Sequence, residues 1–214
     1  YQFFNRAGGV PSQYNDLIFA DAPTVSANTA ILQLARYNDG FLDSRFENGS
    51  LGTLYEYELI YTMQARGSIE AVKTAQEGPS VFGVAVGANF SDDKEDYRQN
   101  FLIKNNRQRD DYQPLIRLSK AFSKSGDEFH EATRTAIDVD HWLRAFAALS
   151  LSGVADNYST GVGHNALFYE RPSDSRMILF PFDMDFAFFE TPTSPLVRSP
   201  DLVKLLTEPN NEHH

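Results

Sequence analysis

An apolar run interrupted by two carboxylates constrains this chain most. Residues 177–182 (Met-Ile-Leu-Phe-Pro-Phe) lead into Asp183-Met184-Asp185, and Phe186-Ala187-Phe188-Phe189 follows. A short apolar run of this kind predicts a buried strand, which pairs with residues 166–170 as a hairpin. In a strand, positions two apart face the same side. Asp183 and Asp185 would then set two like charges together among aromatic residues, where repulsion and desolvation both penalise them. A divalent cation removes that penalty. The alternative is that both lie exposed on an edge.

Other oxygen-bearing side chains lie just upstream. Asp138 is placed to cap a helix whose apolar stripe holds Val139, Trp142, Leu143, Phe146, Ala147 and Leu149, and Gly153 is placed to stop it. Asp156, His164 and Asn165 follow. Taken singly, Asp156 reads as a turn residue, Asn165 as structural and His164 as a hydrogen-bonded histidine. The order Asp156, Asn165, Asp183 changes that reading. Phosphoryl transfer needs a carboxylate to orient the attacking hydroxyl and oxygen ligands to hold metal on the phosphates. These residues supply such parts, although neither the spacing of ordinary protein-kinase catalytic loops nor an Asp-Phe-Gly is present.

Bulk properties narrow the classes. The chain has 214 residues, 42% of them hydrophobic, enough for one domain with a core. A net charge of −10 argues against nucleic-acid binding and suits a basic polypeptide partner. With no cysteine, disulfide scaffolds, thiolate metal sites and cysteine nucleophiles are excluded. No apolar run reaches the roughly 20 residues of a membrane span. The start at Tyr1, without Met, reads as a fragment, so a missing targeting signal carries no weight.

Along the chain, residues 30–36 predict a strand, and Asn38 or Asp39 caps a short helix bearing Phe41, Leu42 and Phe46. Residues 48–53 are turn-rich, and 54–61 predict a strand with Glu56 and Glu58 exposed. A short helix is expected over 68–76, then a β-like stretch over 81–86. The charged segments 91–98 and 104–111 read as solvated loops. A helix is expected near 113–123 with Leu115, Ile116, Leu118 and Phe122 inward and Gly126 after it, and a last helix begins over 202–206. The mixture predicts an α+β fold.

Four blocks then bring a family into view: Asp140-His141-Trp142-Leu143-Arg144, Gly153-Val154-Ala155-Asp156-Asn157-Tyr158, Gly163-His164-Asn165-Ala166-Leu167-Phe168-Tyr169 and Phe180-Pro181-Phe182-Asp183-Met184-Asp185. In order and spacing they resemble the CotH kinase family, named for a bacterial spore-coat protein and atypically kinase-like in fold. The resemblance is strong over 138–189 and loose over about 30–208, where Gly40-Phe41-Leu42 and Leu102-Ile103-Lys104-Asn105 add weaker likeness. It implies an atypical kinase-like fold, with residues 1–65 as a partial N-lobe and 66–214 as a catalytic C-lobe. It also implies ATP- and Mg²⁺-dependent (or Mn²⁺-dependent) phosphorylation of Ser or Thr in a protein substrate, with a basic, Ser-rich one as the candidate. Asp156 then matches the carboxylate that orients the acceptor hydroxyl, and Asp183 the metal-binding Asp. Asn165 and Asp185 are inferred as further metal ligands, and His164 with Asn165 as the nucleotide-side loop. Trp142 and Phe182 are assigned to packing. The implied location is a spore coat, a cell surface or the extracellular space.

One departure bears on the nucleotide side. Where the family carries a Glu before its Gly-Phe-Leu block, this chain has Ala35, and a kinase uses such a Glu to hold its nucleotide-contacting Lys. The glycines at 8–9 and 83–87 make no phosphate loop. Two other readings therefore stand beside the kinase. One is a non-catalytic relative that keeps the fold as a surface-binding or structural module. The other is a different Asp-x-Asp metal enzyme, a phosphatase or a glycosyltransferase.

Overall fold

The computed structural model describes residues 2–19, 30–57, 61–64, 72–75, 92–98, 101–154, 165–185 and 187–188. Its centre is a four-stranded antiparallel sheet of β3 (Leu54–Tyr57), β6 (Phe101–Ile103), β7 (Ala166–Glu170) and β8 (Met177–Pro181), in the order β6-β3-β7-β8. Two further antiparallel pairs stand apart: β1 (Asn15–Phe19) with β2 (Ala30–Leu34), and β4 (Tyr61–Gln64) with β5 (Val72–Ala75). The helices are α1 (Asp39–Arg45), α2 (Glu95–Arg98), α3 (Gln113–Phe122), α4 (Gly126–Ala136) and α5 (Val139–Ser152). The α+β expectation holds.

Strand alternation distributes the core to both faces of the sheet. Tyr55, Tyr57, Phe101, Ala166, Phe168, Met177 and Leu179 join one cluster with Leu115, Ile116 and Leu118 of α3 and Trp142, Ala145 and Leu149 of α5. Their neighbours Leu54, Leu167, Tyr169, Ile178 and Phe180 join a second cluster with Tyr37, Phe41 and Leu42 at α1. A sheet covered on both faces requires near-continuous apolar strands. That is why residues 166–169 and 177–180 show no polar alternation. Glu56 is the exception on β3. It is half-buried rather than exposed and forms an ion pair with Lys104.

The local signals at α1 and α5 work as expected. Asn38 Oδ1 accepts the Phe41 N–H at 3.0 Å, and Asp138 Oδ1 accepts the His141 N–H at 3.1 Å. Gly153 closes α5 with φ 70°, a left-handed cap that glycine adopts without a Cβ clash. The α5 stripe, however, is rotated from the expected one. Trp142, Ala145, Ala148, Leu149 and Ser152 are buried, whereas Val139, Leu143 and Ala147 are exposed.

Several expectations are corrected. The short helix expected over 68–76 gives way to β5, which pairs residue for residue with β4. Of the strand expected over 54–61, residues 54–57 form β3 and Tyr61 opens β4, while 58–60 lie outside the described residues. Gly126 does more than follow α3: it opens α4, a helix not anticipated. The two charged stretches are largely exposed, as expected, but carry short helical turns rather than loops alone. Segment 95–98 is α2 and Arg107–Arg109 is a 3-10 turn, joined by Arg98, which grips Asp110 through two nitrogens at 2.5 and 2.7 Å. Lys94 reaches the same carboxylate at 2.6 Å, and together the cations hold the Asp110 carboxyl far below its ordinary range. The β-like stretch at 81–86 and the helix at 202–206 lie outside the described residues.

Candidate functional site

The β7–β8 hairpin brings two of the expected site residues to one place. Ala166 pairs with Pro181, so Asn165, just before β7, and Asp183, two residues past Pro181, lie at the same end of the sheet. Asn165 is buried with φ 54°, and Asp183 is exposed with φ 48°. Left-handed backbone is uncommon outside glycine, and Asn and Asp are among the residues that tolerate it best. Phe188, with φ 60°, is a third such residue nearby and a strained one, because its side chain is bulky. Strained backbone of this kind clusters where a fold over-determines a functional geometry.

The chain after β8 returns to α5. Met184 packs on the core, its carbonyl accepts the Ala187 N–H at 3.1 Å, and the Phe188 N–H reaches the Ser152 carbonyl at 2.7 Å. The last turn of α5 is thereby tied to the segment carrying both carboxylates. Asp185 is exposed on the same turn. Strand geometry does not place the pair, contrary to the sequence expectation. Regular structure stops at Pro181, and Asp183 and Asp185 are both open to solvent. Desolvation therefore does not force a cation onto them, and the edge-exposed alternative describes their burial better. Phe182 is half-buried against the second cluster, and Trp142 is buried in the first, both in packing roles. Asp156 and His164 lie outside the described residues.

The donor set at this corner is all oxygen: two carboxylates and the amide of Asn165. Hard divalent cations take such ligands, completed by water or phosphate oxygens. Among the described residues, no three His, Asp or Glu side chains gather as a metal cluster. The corner thus offers oxygen ligands of the kind such a cation takes.

What holds the corner in place was not legible beforehand. The Arg171 N–H donates to the Arg176 carbonyl at 2.9 Å, which fixes the phase of the hairpin. Carbonyls 176, 178 and 180 face β7, and carbonyls 177, 179 and 181 face outward from the sheet. Each outward carbonyl receives a side-chain donor. Trp142 Nε1 donates to Met177 at 2.9 Å, His141 Nε2 to Leu179 at 2.9 Å and the Tyr37 hydroxyl to Pro181 at 2.6 Å. A carbonyl only accepts, so the His141 bond requires the Nε2–H tautomer. Burial pushes the His141 imidazole below its ordinary pKa, which favours the neutral form. Pro181, lacking an N–H, fits an outer strand because its nitrogen also faces away from β7. That proline was the available signal that the run forms an edge whose outer carbonyls need donors.

Arg171, in the hairpin turn, bonds Asp138 at 2.9 Å and Asp174 at 2.5 Å. Burial pushes the Asp138 carboxyl up, but the His141 N–H and Arg171 outweigh it and hold it below its ordinary value. Ala35, the position of the missing Glu, ends the β1–β2 ribbon, where its N–H donates to the Tyr14 carbonyl at 2.8 Å.

These features define an α+β protein with an oxygen-rich corner on a doubly covered sheet. The family model described as CotH kinase protein matches residues 32–205, most of the chain, and the chain belongs to that family. The function that goes with membership is kinase-like or CotH-like. None of the curated proteins compared matches the chain. Among the described residues, no helix is long and apolar enough to cross a membrane.

Proposed function

We propose that this chain is the catalytic part of an atypical protein kinase, phosphorylating Ser or Thr of a protein substrate with ATP and Mg²⁺ or Mn²⁺. The convergence of Asn165 and Asp183 at one sheet end, both in left-handed backbone, carries the reading. Residues 1–65 serve as a partial N-lobe and 66–214 as the catalytic lobe, and β3 joins the two within one sheet. Asp183 binds metal, with Asn165 and Asp185 as further oxygen ligands and His164 with Asn165 on the nucleotide side. The metal would neutralise charge on the phosphates. Asp156 orients the acceptor hydroxyl and takes its proton as the oxygen attacks the γ-phosphorus. The bond to the bridging oxygen breaks and ADP leaves. A basic, Ser-rich partner suits the net charge of −10. A spore-coat or other extracellular surface location fits the family resemblance.

The test is transfer of label from γ-labelled ATP to a basic Ser-rich peptide, using wild type beside Asp156→Ala and Asp183→Ala. Label in the wild type that is lost in both variants supports the kinase. No transfer and no nucleotide-induced rise in melting temperature would overturn it. A second reading, a non-catalytic surface module, draws on Ala35, which lacks the carboxylate that would anchor a nucleotide-contacting Lys. That same negative result would favour it. Hydrolysis of a sugar nucleotide would point instead to a glycosyltransferase.

A further inference from the structure

We infer that Tyr37 is a positioning residue for the Asp183 corner, acting through the backbone of β8; the inference rests on the metal-binding reading of Asp183. Tyr37 comes from the opposite end of the chain, directly before the Asn38 cap of α1. Its ring stacks on Phe180 with centroids 4.9 Å apart and planes 5° from parallel, and it meets Phe41 of α1 edge-on at 5.0 Å. Packed from both sides, the ring has little freedom, so its hydroxyl is aimed at one point. That point is the Pro181 carbonyl, 2.6 Å away in a buried setting.

Pro181 is the last strand residue, and Asp183 takes its left-handed turn two residues later. The place where the chain leaves the sheet therefore depends on what holds the final outward carbonyl. On the other two outward carbonyls the donors come from α5, an element packed along the same strand. Only at Pro181 does the donor come from the α1 side, so Tyr37 links the N-terminal part of the chain to the carboxylate corner. Without the hydroxyl, the carbonyl loses a buried, well-formed bond and the exit of the strand loosens.

Tyr37→Phe keeps the ring stack and removes only the hydroxyl. Trp142→Phe removes the side-chain donor at the far end of the same edge, at Met177, whose carbonyl keeps the Asp138 N–H at 3.3 Å, and serves as the comparison for a purely structural loss. Three measurements are made on wild type, both variants and Asp183→Ala: Mn²⁺ binding from the spin resonance of free Mn²⁺, hydrogen exchange at residues 182–185, and melting temperature. The expected result is Mn²⁺ binding about five- to tenfold weaker in Tyr37→Phe, with faster exchange at 182–185 and wild-type exchange in α3. Trp142→Phe is expected to melt earlier while binding Mn²⁺ within about twofold of wild type. Wild-type Mn²⁺ affinity in Tyr37→Phe, with Asp183→Ala weakened, would overturn the inference alone. Equal weakening in Tyr37→Phe and Trp142→Phe would also overturn it, since the hydroxyl would then be merely structural. If Asp183→Ala binds Mn²⁺ as wild type does, the metal reading fails and the inference falls with it.

Discussion

Asp138 offers a direct test of how α5 is fastened to the hairpin that carries the corner. One oxygen caps the helix by accepting the His141 N–H at 3.1 Å, and the other pairs with Arg171 of the hairpin turn at 2.9 Å. Asp138→Ala removes both. Loss of a cap costs about 1 kcal/mol. A partly exposed ion pair adds about 0.5–1 kcal/mol; with roughly a fifth of each side chain exposed, the upper part of that range applies. The total is about 1.5–2 kcal/mol, which lowers the melting temperature by about 3–8 °C in a chain of this size. Asp138→Asn keeps an oxygen for the cap and loses only the charge, so about 1–4 °C is expected. The pH dependence has a definite sign. The folded-state value lies below the ordinary 3.8, so the ionised form stabilises the fold above that value. That contribution is lost as pH falls through the folded value. Melting curves at pH 7 and pH 3 should show the gap between wild type and Asp138→Asn closing at the lower pH. Asp174, the other partner of Arg171, titrates in both proteins. Equal damage from Asn and Ala at pH 7, or an Asn gap that does not change with pH, would refute the division of roles.

Two further outcomes are open to measurement. Asn105 Oδ1 accepts the N–H of Leu54, a fully buried residue, at 2.8 Å; Asn105→Ala should lower stability by about 1–3 kcal/mol in urea titrations with an unchanged m-value. An unchanged midpoint would show that this asparagine does not anchor β3. His141, held below its ordinary value of 6.5 by burial, faces Asp138, Asp140 and Arg171; stability should fall as pH drops from 6.5 through its folded value. His141→Gln should flatten that part of the profile, and parallel curves for the two proteins between pH 7 and pH 5 would contradict the assignment.

Local chemistry was legible wherever a residue acts on its immediate neighbours. Asn38 and Asp138 announced helix starts, Gly153 a helix end, and the uninterrupted apolar runs at 166–169 and 177–180 a buried hairpin. Where long-range partners decide, the reading went astray. Residues 72–75 are a strand because β4 pairs with them, and the charged stretches are ordered because Arg98 and Lys94 converge on Asp110. The exposure of Asp183 and Asp185 stood only as the alternative reading for a related reason. Periodicity tells which residues share a face only while the strand lasts, and it does not mark the strand's last residue.

By itself the sequence determined the oxygen-ligand inventory, its order along the chain and the likeness to the CotH kinase family. Residue types and spacing carry that information without reference to the rest of the fold. Only the tertiary structure decided that Asn165 and Asp183 flank the same end of the sheet, because strand register converts a sequence separation into a common sheet end. It also decided that β8 is an outer strand whose exposed carbonyls are closed by Trp142, His141 and Tyr37. A hydrogen bond between residues 37 and 181 leaves no periodic trace in the chain, since its geometry exists only once both sides of the sheet are covered.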